Sequence, residues 1–522
     1  MSSRVTLLAA LLSLAAALPA ATGAQTTRAA NDTAPPPVQR ELRAVWVATV
    51  ENMDWPSKSG LSTADQQGEL LAILDKAVEL HLNAIVLQVR PAADALYASP
   101  DEPWSDVLTG EMGRAPEPFY DPLAFAVAEA HKRGLELHAW INPYRAKNSS
   151  TKGVSSNHVS RTNPELVRTY GPYLWLDPGD PRVRNLTTRV ALDIVRRYDI
   201  DALHMDDYFY PYRESRNGRE LDFPDDATWR RYQQSGGTLA RDDWRRENVN
   251  LLVRQLNDAV HAVKPWVRFG ISPFGIWRPG NPASVRGLDQ YAEIYADARK
   301  WIKQGWVDYL APQLYWPVRN PQQRYDELLR WWVEQNTYGR NIWAGNYTSK
   351  VGFTNAQKFP TSEIIEQIRL TRAQAGATGN VHFSMKVFQE DPDELNERLL
   401  AGPYAQRALV PASPWLGVGT PAVPEIATRT DVTSGALVLD IRPGAGVPVP
   451  IGMGGTSTLA STPWLWVVHT RGDTGWTTQI VPGAERVRVL GPRGFTGPRE
   501  VRVTMIDRVG RESRPAILTP RR

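Results

Sequence analysis

The stretch Asp201-Ala202-Leu203-His204-Met205-Asp206-Asp207-Tyr208-Phe209-Tyr210-Pro211 runs a short apolar strand into two carboxylates and then into aromatic rings. Side chains alternate across a strand. Leu203 and Met205 therefore suit an outer layer facing helices, which leaves His204 and Asp206 pointing inward. Polar groups inside an apolar strand are costly unless they are paired or used. A barrel of parallel strands gives them a use, because its working face lies at the C-terminal strand ends. The same residues also fit a plain strand-end turn followed by core aromatics, so the rest of the chain has to decide.

Seven further segments read as buried strands: 43–50, 84–89, 135–141, 267–272, 309–314, 342–344 and 381–385. Helical patterns lie between most of them. Leu70, Leu71, Leu74, Ala77 and Val78 form one stripe at helix spacing, and Leu123 to His131 form another that stops at Gly134. Residues 249–263 and 364–373 add two more. Eight strands alternating with helices predict an α/β fold, a (β/α)8 TIM barrel over 40–410. An open doubly wound sheet is the rival, but no Gly-rich phosphate turn follows the first strand. Long segments at 51–62, 91–118, 142–168 and 211–241 follow strands on the C-terminal side, where they would build a cleft.

After Pro411 the pattern changes. Residues 436–441, 464–469, 486–490 and 501–506 alternate or run apolar between Gly/Pro turns. They predict an all-β fibronectin III- or Ig-like sandwich over 420–522, read as a spacer or docking surface in preference to a carbohydrate-binding module. At the other end, Arg4 leads an apolar run to Leu18, and Thr22-Gly23-Ala24 offers a cleavage site. Residues 1–24 thus read as a secretory signal peptide and 25–39, with Pro35-Pro36-Pro37, as a disordered linker. The expected location is outside the cytoplasm, secreted or in the periplasm or cell envelope. No other stretch approaches the ~20 apolar residues of a membrane span.

The chain has no cysteine, which excludes disulfides, thiolate metal sites and a cysteine nucleophile. Its formal charge is +4, with arginines scattered beside acids, so nucleic acid is not an expected partner. Tryptophan is abundant at 19 residues. Buried Trp needs a partner for its N–H, so that number suits flat stacking surfaces as well as core.

Two carboxylates beside aromatic rings are what sugar chemistry uses, for proton transfer or attack and for stacking on pyranose faces. Asp206 is the better nucleophile or charge stabiliser, kept ionised by Arg90 and His204. Asp207 or Glu51 would be its acid partner. Strand ends also present Arg90, Trp140, Asn142, Arg145, His204, Tyr208, Gln313, Tyr315 and Lys386 as binding groups, with Trp55, Trp277 and Trp316 as further stacking rings. A metallohydrolase built on His138, His204, Asp206 and Asp207 is a competing chemistry, but strand one lacks the usual His-x-His. No cofactor or metal is expected. Asp177-Pro-Gly-Asp180 reads as a helix start more readily than as a calcium loop.

Seven segments carry a family resemblance: Glu41–Trp46, Asn83–Tyr97, Leu137–Arg145, Trp175–Asp180, His204–Pro211, Gly270–Trp277 and Tyr309–Trp316. Between Arg40 and Leu400 the chain resembles the bacterial glycosyl-hydrolase-10-like proteins, the YngK/DigH group. The resemblance implies a barrel glycoside hydrolase acting on cell-envelope glycan, most specifically on peptidoglycan strands stripped of stem peptides. Members are often lipoproteins, from which this cysteine-free chain departs. A non-catalytic glycan-binding barrel is the alternative from a different class.

Overall fold

The computed structural model describes residues 34–417, 419–446, 449–451, 455–457 and 459–519. The signal-peptide reading and most of the linker reading fall outside these residues. Within them, Val38 already packs against a cluster containing Leu409 and Trp464.

Eight strands form the barrel. They are β1 (Leu42–Val47), β2 (Ala84–Arg90), β3 (Glu136–Ile141), β4 (Ala202–Met205), β5 (Arg268–Ile271), β6 (Tyr309–Leu310), β7 in two pieces (Asn341–Ile342 and Ala344–Asn346) and β8 (Gly379–His382). All neighbours are parallel. One piece of β7 pairs with β6 and the other with β8, and only Trp343 separates them. The sheet therefore curls round on itself, and the open doubly wound sheet is set aside. The last strand ends at His382, earlier than its sequence pattern indicates, because Met385–Glu390 is already helix.

Period-two alternation sorts the strand residues into two cores. Val45, Val47, Ile85, Leu87, Leu203 and Met205 join the outer cluster under the helices. Leu42, Ala44, Trp46, Val86, Trp140, Ala202, Tyr309 and Trp343 fill the interior. Space inside is tight: a Cβ on Gly270 would lie 2.1 Å from the Tyr309 ring, so glycine lets that ring cross the interior.

The surrounding helices start where capping chemistry puts them. Ser62 accepts from Asp65 N at 3.1 Å to open α1 (Thr63–Glu79). Asp121 and Asp180 cap α2 (Pro122–Lys132) and α3 (Pro181–Arg197), each with proline in the first turn. Asp180 of the Asp177-Pro-Gly-Asp180 turn is thus a helix cap, and Asp177 pairs with Arg168 at 2.8 Å.

Two larger antiparallel sheets follow the barrel, beside a two-stranded one of Val449–Ile451 and Gly455–Ser457. One orders Glu425–Thr430, Leu437–Arg442 and Val487–Gly491; the other orders Gly475–Pro482, Leu465–Gly472, Glu500–Ile506 and Ala516–Leu518. Leu439, Ile441, Trp466, Val468, Val503 and Met505 share one core. This module docks on the N-terminal end of the barrel strands. Arg508 reaches Asp199 (2.9 Å) and Asp201 (2.7 Å), and Trp415, in the segment leading to the module, donates to Asp308 at 2.8 Å. Among the described residues, no helix is long and apolar enough to cross a membrane.

Candidate active site

A cleft of about 560 Å³ opens at the C-terminal end of the barrel. Its walls come from the segment after β1 (Ala48, Val50, Glu51, Met53), the segment after β3 (Arg145, Asn148, Ser149), Tyr173 and Trp175, and the quoted stretch after β4 (Asp206 to Tyr208, Pro211, Tyr212, Glu214). Ser272, Gln313, Tyr315, Tyr347 and Phe383 close the other side. The long segment at 91–118 contributes nothing to the lining. Its Glu102 instead pairs with Arg90 at the end of β2.

Asp206 sits at the floor, 4 % exposed. Its Oδ2 accepts from Trp140 Nε1 at 3.0 Å and Asn142 Nδ2 at 3.3 Å, whereas Oδ1 has only a 3.4 Å contact from Tyr208 N. Burial drives its pKa up to about 7; Arg145 and the Trp140 donor oppose this, and Asp207 adds to it. A neutral Asp206 fits these contacts. Oδ2 takes two donors, which leaves Oδ1, with its single 3.4 Å contact, as the oxygen better able to bear a proton.

Asp207 is equally buried and its pKa is also raised by burial. The Tyr212 hydroxyl and the Gln313 amide donate to it and act in the opposite direction, in favour of the charged form. Two adjacent carboxyl groups thus have different surroundings, and of the two Asp206 is the better proton carrier. The sequence reading takes Asp206 as the ionised member, whereas its burial favours the protonated form.

Behind Asp206 runs a buried polar chain. Trp46 Nε1 donates to His204 Nε2 at 3.2 Å, and His204 Nδ1 lies 2.9 Å from the Tyr309 hydroxyl. Tyr309 then meets His138 Nδ1 at 3.5 Å, and His138 Nε2 lies 3.0 Å from Glu136, which pairs with Arg268. An indole N–H can only donate. His204 Nε2 must therefore accept, with its proton on Nδ1. Burial holds His204 well below the usual histidine value, with His138 adding to the effect, so it is neutral and does not ionise Asp206. Both histidines belong to this chain and stand away from a ligand position. Among the described residues, no group of three or more His, Asp or Glu is placed to hold a metal ion.

Arg90 is the other corrected partner. It is fully buried, bonds Glu102 through Nε at 2.8 Å, and donates to the Asn142 carbonyl. Its work is to brace the end of β3. Asn142 in turn takes Arg145 N at 2.8 Å on its Oδ1, which sets the turn that brings Arg145 into the cleft. Gln88 performs the same task for the first loop, accepting from Thr49 N and Val50 N at 3.0 and 2.9 Å.

Of the proposed binding groups, Trp140, Arg145, Tyr208, Gln313 and Tyr315 line the cleft. Asn142 and His204 stand directly behind it. Four others lie elsewhere. Trp277 occupies a separate groove, stacked on Trp331 and bonded to Asp297 at 3.0 Å. Trp316 packs edge-on to Phe274, outside the lining. Lys386 projects to solvent from a helix, 3.8 Å from Glu390. Trp55 is entirely buried, with its N–H on the Gln66 carbonyl. Glu51 is exposed at the rim and receives a hydrogen bond from Asn148 at 2.8 Å.

Sequence reasoning missed Trp46, Trp175, Tyr173, Tyr212 and Glu214, all of which line the cleft. Two of them left a signal. Trp46 shares the inward parity of Ala44 and Ala48, and Trp175 opens a segment that carries the family resemblance. Tyr212 and Glu214 lie in an irregular loop where no periodicity points inward.

Residues 41–361 match the family model described as "Glycosyl hydrolase-like 10". The protein named "Glycosyl hydrolase YngK" from Bacillus subtilis (strain 168) is 42% identical over 409 residues, covering 76% of this chain and 79% of its own. "Glycosyl hydrolase DigH" from Escherichia coli (strain K12) is 38% identical over 314 residues, 56% of this chain and 70% of its own. Among solved structures, the PgaB (BpsB) glycoside hydrolase domain from Bordetella bronchiseptica aligns at 12% identity and a TM-score of 0.45, over 70% of this chain and 98% of that one.

Proposed function

The chain belongs to the glycosyl hydrolase-like 10 family and is a glycoside hydrolase, and from that premise we propose that it cleaves peptidoglycan glycan strands freed of their stem peptides, outside the cytoplasm. The observation that carries the chemistry is the unlike environment of Asp206 and Asp207 at the floor of an aromatic cleft. Asp206 donates its Oδ1 proton to the leaving glycosidic oxygen. Asp207, held by Tyr212 and Gln313, supplies the carboxylate that acts on the anomeric side. Trp46, Trp140, Trp175 and Tyr208 offer ring faces to pyranose units. Glu51 and Glu214 at the cleft wall accept from sugar hydroxyls. The signal-like N-terminus supports export to the cell envelope.

The test is a digest of purified, peptide-stripped glycan strands by the mature protein beside Asp206→Asn, read by mass spectrometry. Shorter saccharides are expected from the wild type alone. Full activity in the variant would remove Asp206 from the chemistry. Retained pull-down with no product from the wild type would overturn cleavage of these strands and leave the glycan-binding barrel.

A further inference from the structure

Arg145 is 7 % exposed, yet among the described residues no carboxylate lies within ion-pairing distance of it and its Nε has no hydrogen-bond partner. Buried guanidinium groups are ordinarily paired, because taking the charge out of water costs several kcal/mol. The other deeply buried arginines of the barrel follow that rule: Arg43 with Glu41, Arg90 with Glu102, Arg245 with Asp225 and Arg268 with Glu136. Arg145 instead faces the cleft, where it is the one cation among the described lining residues. It favours the charged forms of Asp206 and Asp207 from beyond ion-pairing distance and bonds Tyr208, which leaves the fork without a carboxylate in contact. Its Cζ stands 4.1 Å from the Tyr208 ring centroid and 5.9 Å from that of Trp175. Stacking of this kind fixes the plane of the fork, and a fixed fork suits a bidentate carboxylate.

We propose that Arg145 is a substrate-binding residue that receives a carboxylate borne by a sugar next to the scissile bond. This rests on the peptidoglycan reading above, under which the carboxylate is the lactyl group of a muramic acid residue with no peptide attached. A peptide amide at that position would remove the anion and fill the space before the fork. One buried cation in an otherwise acidic cleft locates the polymer in a single register, since elsewhere the wall repels anions.

The test compares peptide-free strands with the same strands after chemical reduction of the lactyl carboxyl to the alcohol. For the wild type, kcat/KM should fall about 10- to 100-fold on reduced strands, mostly through KM, as a lost charge-assisted hydrogen bond implies. Arg145→Gln should lose as much on native strands and lose little further on reduced ones. Arg145→Lys, which keeps charge without the fork, should recover part of the native-strand activity. Equal wild-type rates on the two substrates would overturn the assignment, and no variant has to fold for that result. Equal loss by Arg145→Gln on both, with a shifted pH profile, would also overturn it and make Arg145 an electrostatic partner of Asp206. Cleavage of neither substrate by the wild type would overturn the peptidoglycan reading and this assignment with it.

Discussion

Asp201 and Asp206 flank the same strand, both buried, and their surroundings push them in opposite directions. At the N-terminal end, burial works to raise Asp201, but Arg508 (2.7 Å), His131 (2.9 Å) and Leu137 N–H (2.8 Å) hold it well below the usual carboxylate range. At the C-terminal end burial prevails, and Asp206 rises to about 7. Asp308, at the start of β6, repeats the first case: burial is outweighed by His261, Phe269 N–H and Trp415. The barrel is thus tied down at one end, where the C-terminal module supplies the compensating cation. At the other end it is left under-compensated, and there a proton can be held and released near neutral pH. The module is therefore part of the barrel's base as well as an appended β domain.

The same Asp→Asn change at the two ends should break this symmetry in different observables. The largest effect is expected from Asp206→Asn, which should lower glycan cleavage by about 10²–10⁴-fold, the usual worth of a general acid. Its circular dichroism should stay unchanged. Next comes Asp201→Asn, which removes the buried carboxylate shared by Arg508 and His131 and leaves both with the more exposed Asp199 alone. A loss of ~3–5 kcal/mol of unfolding free energy, read as a lowered denaturant midpoint, is expected as for other broken buried pairs, with kcat retained by the folded fraction.

A pH series sharpens the contrast. Asp206 has a raised folded-state pKa, so its contribution to stability is fully present below the unfolded value near 4 and is lost as pH rises through about 7. Asp206→Asn should therefore be more stable than wild type at pH 8, by up to ~4 kcal/mol at 1.36 kcal/mol per unit, and lose that advantage near pH 4. Wild-type activity should decline over the same alkaline step. Asp201 has a lowered value, so its contribution is present above the unfolded value and is lost as pH falls below it. Urea midpoints of both variants relative to wild type should diverge in different windows, Asp206→Asn gaining between pH 4 and 8 and Asp201→Asn losing its deficit only between pH 4 and 2; a shared window would refute the comparison. The smallest effect belongs to Trp415→Phe, which removes one hydrogen bond to Asp308 and should cost ~1 kcal/mol. A thermal melt with activity unchanged below the transition would confirm it.

Period and composition made much of this legible. Leu203 and Met205 outward, His204 and Asp206 inward, is what the strand pattern states and what the cores contain. The sequence pattern places strand seven at 342–344, yet the paired residues lie on either side of Trp343, whose own N–H still bonds the Leu310 carbonyl at 3.0 Å. Arg90 and Lys386 sit at or just beyond a strand end, as read, but their surroundings come from elsewhere. Glu102 takes Arg90 from a neighbouring loop, and an early helix carries Lys386 out to solvent. Trp277 lost its place in the cleft in the same way, to Asp297 and Trp331.

By itself, then, the sequence determined the alternation of strands and helices, the inward parity of Asp206, the capped helix starts and the β module. These depend on neighbours along the chain, through side-chain period and backbone propensity. The tertiary structure alone decided which carboxylate is pushed toward its protonated form, which arginine has no salt-bridge partner in contact and which tryptophans face the cleft. Those properties depend on burial and on partners from distant segments: Trp140 on Asp206, Tyr212 on Asp207 and Arg508 on Asp201. No spacing in the chain encodes such pairings before the barrel closes.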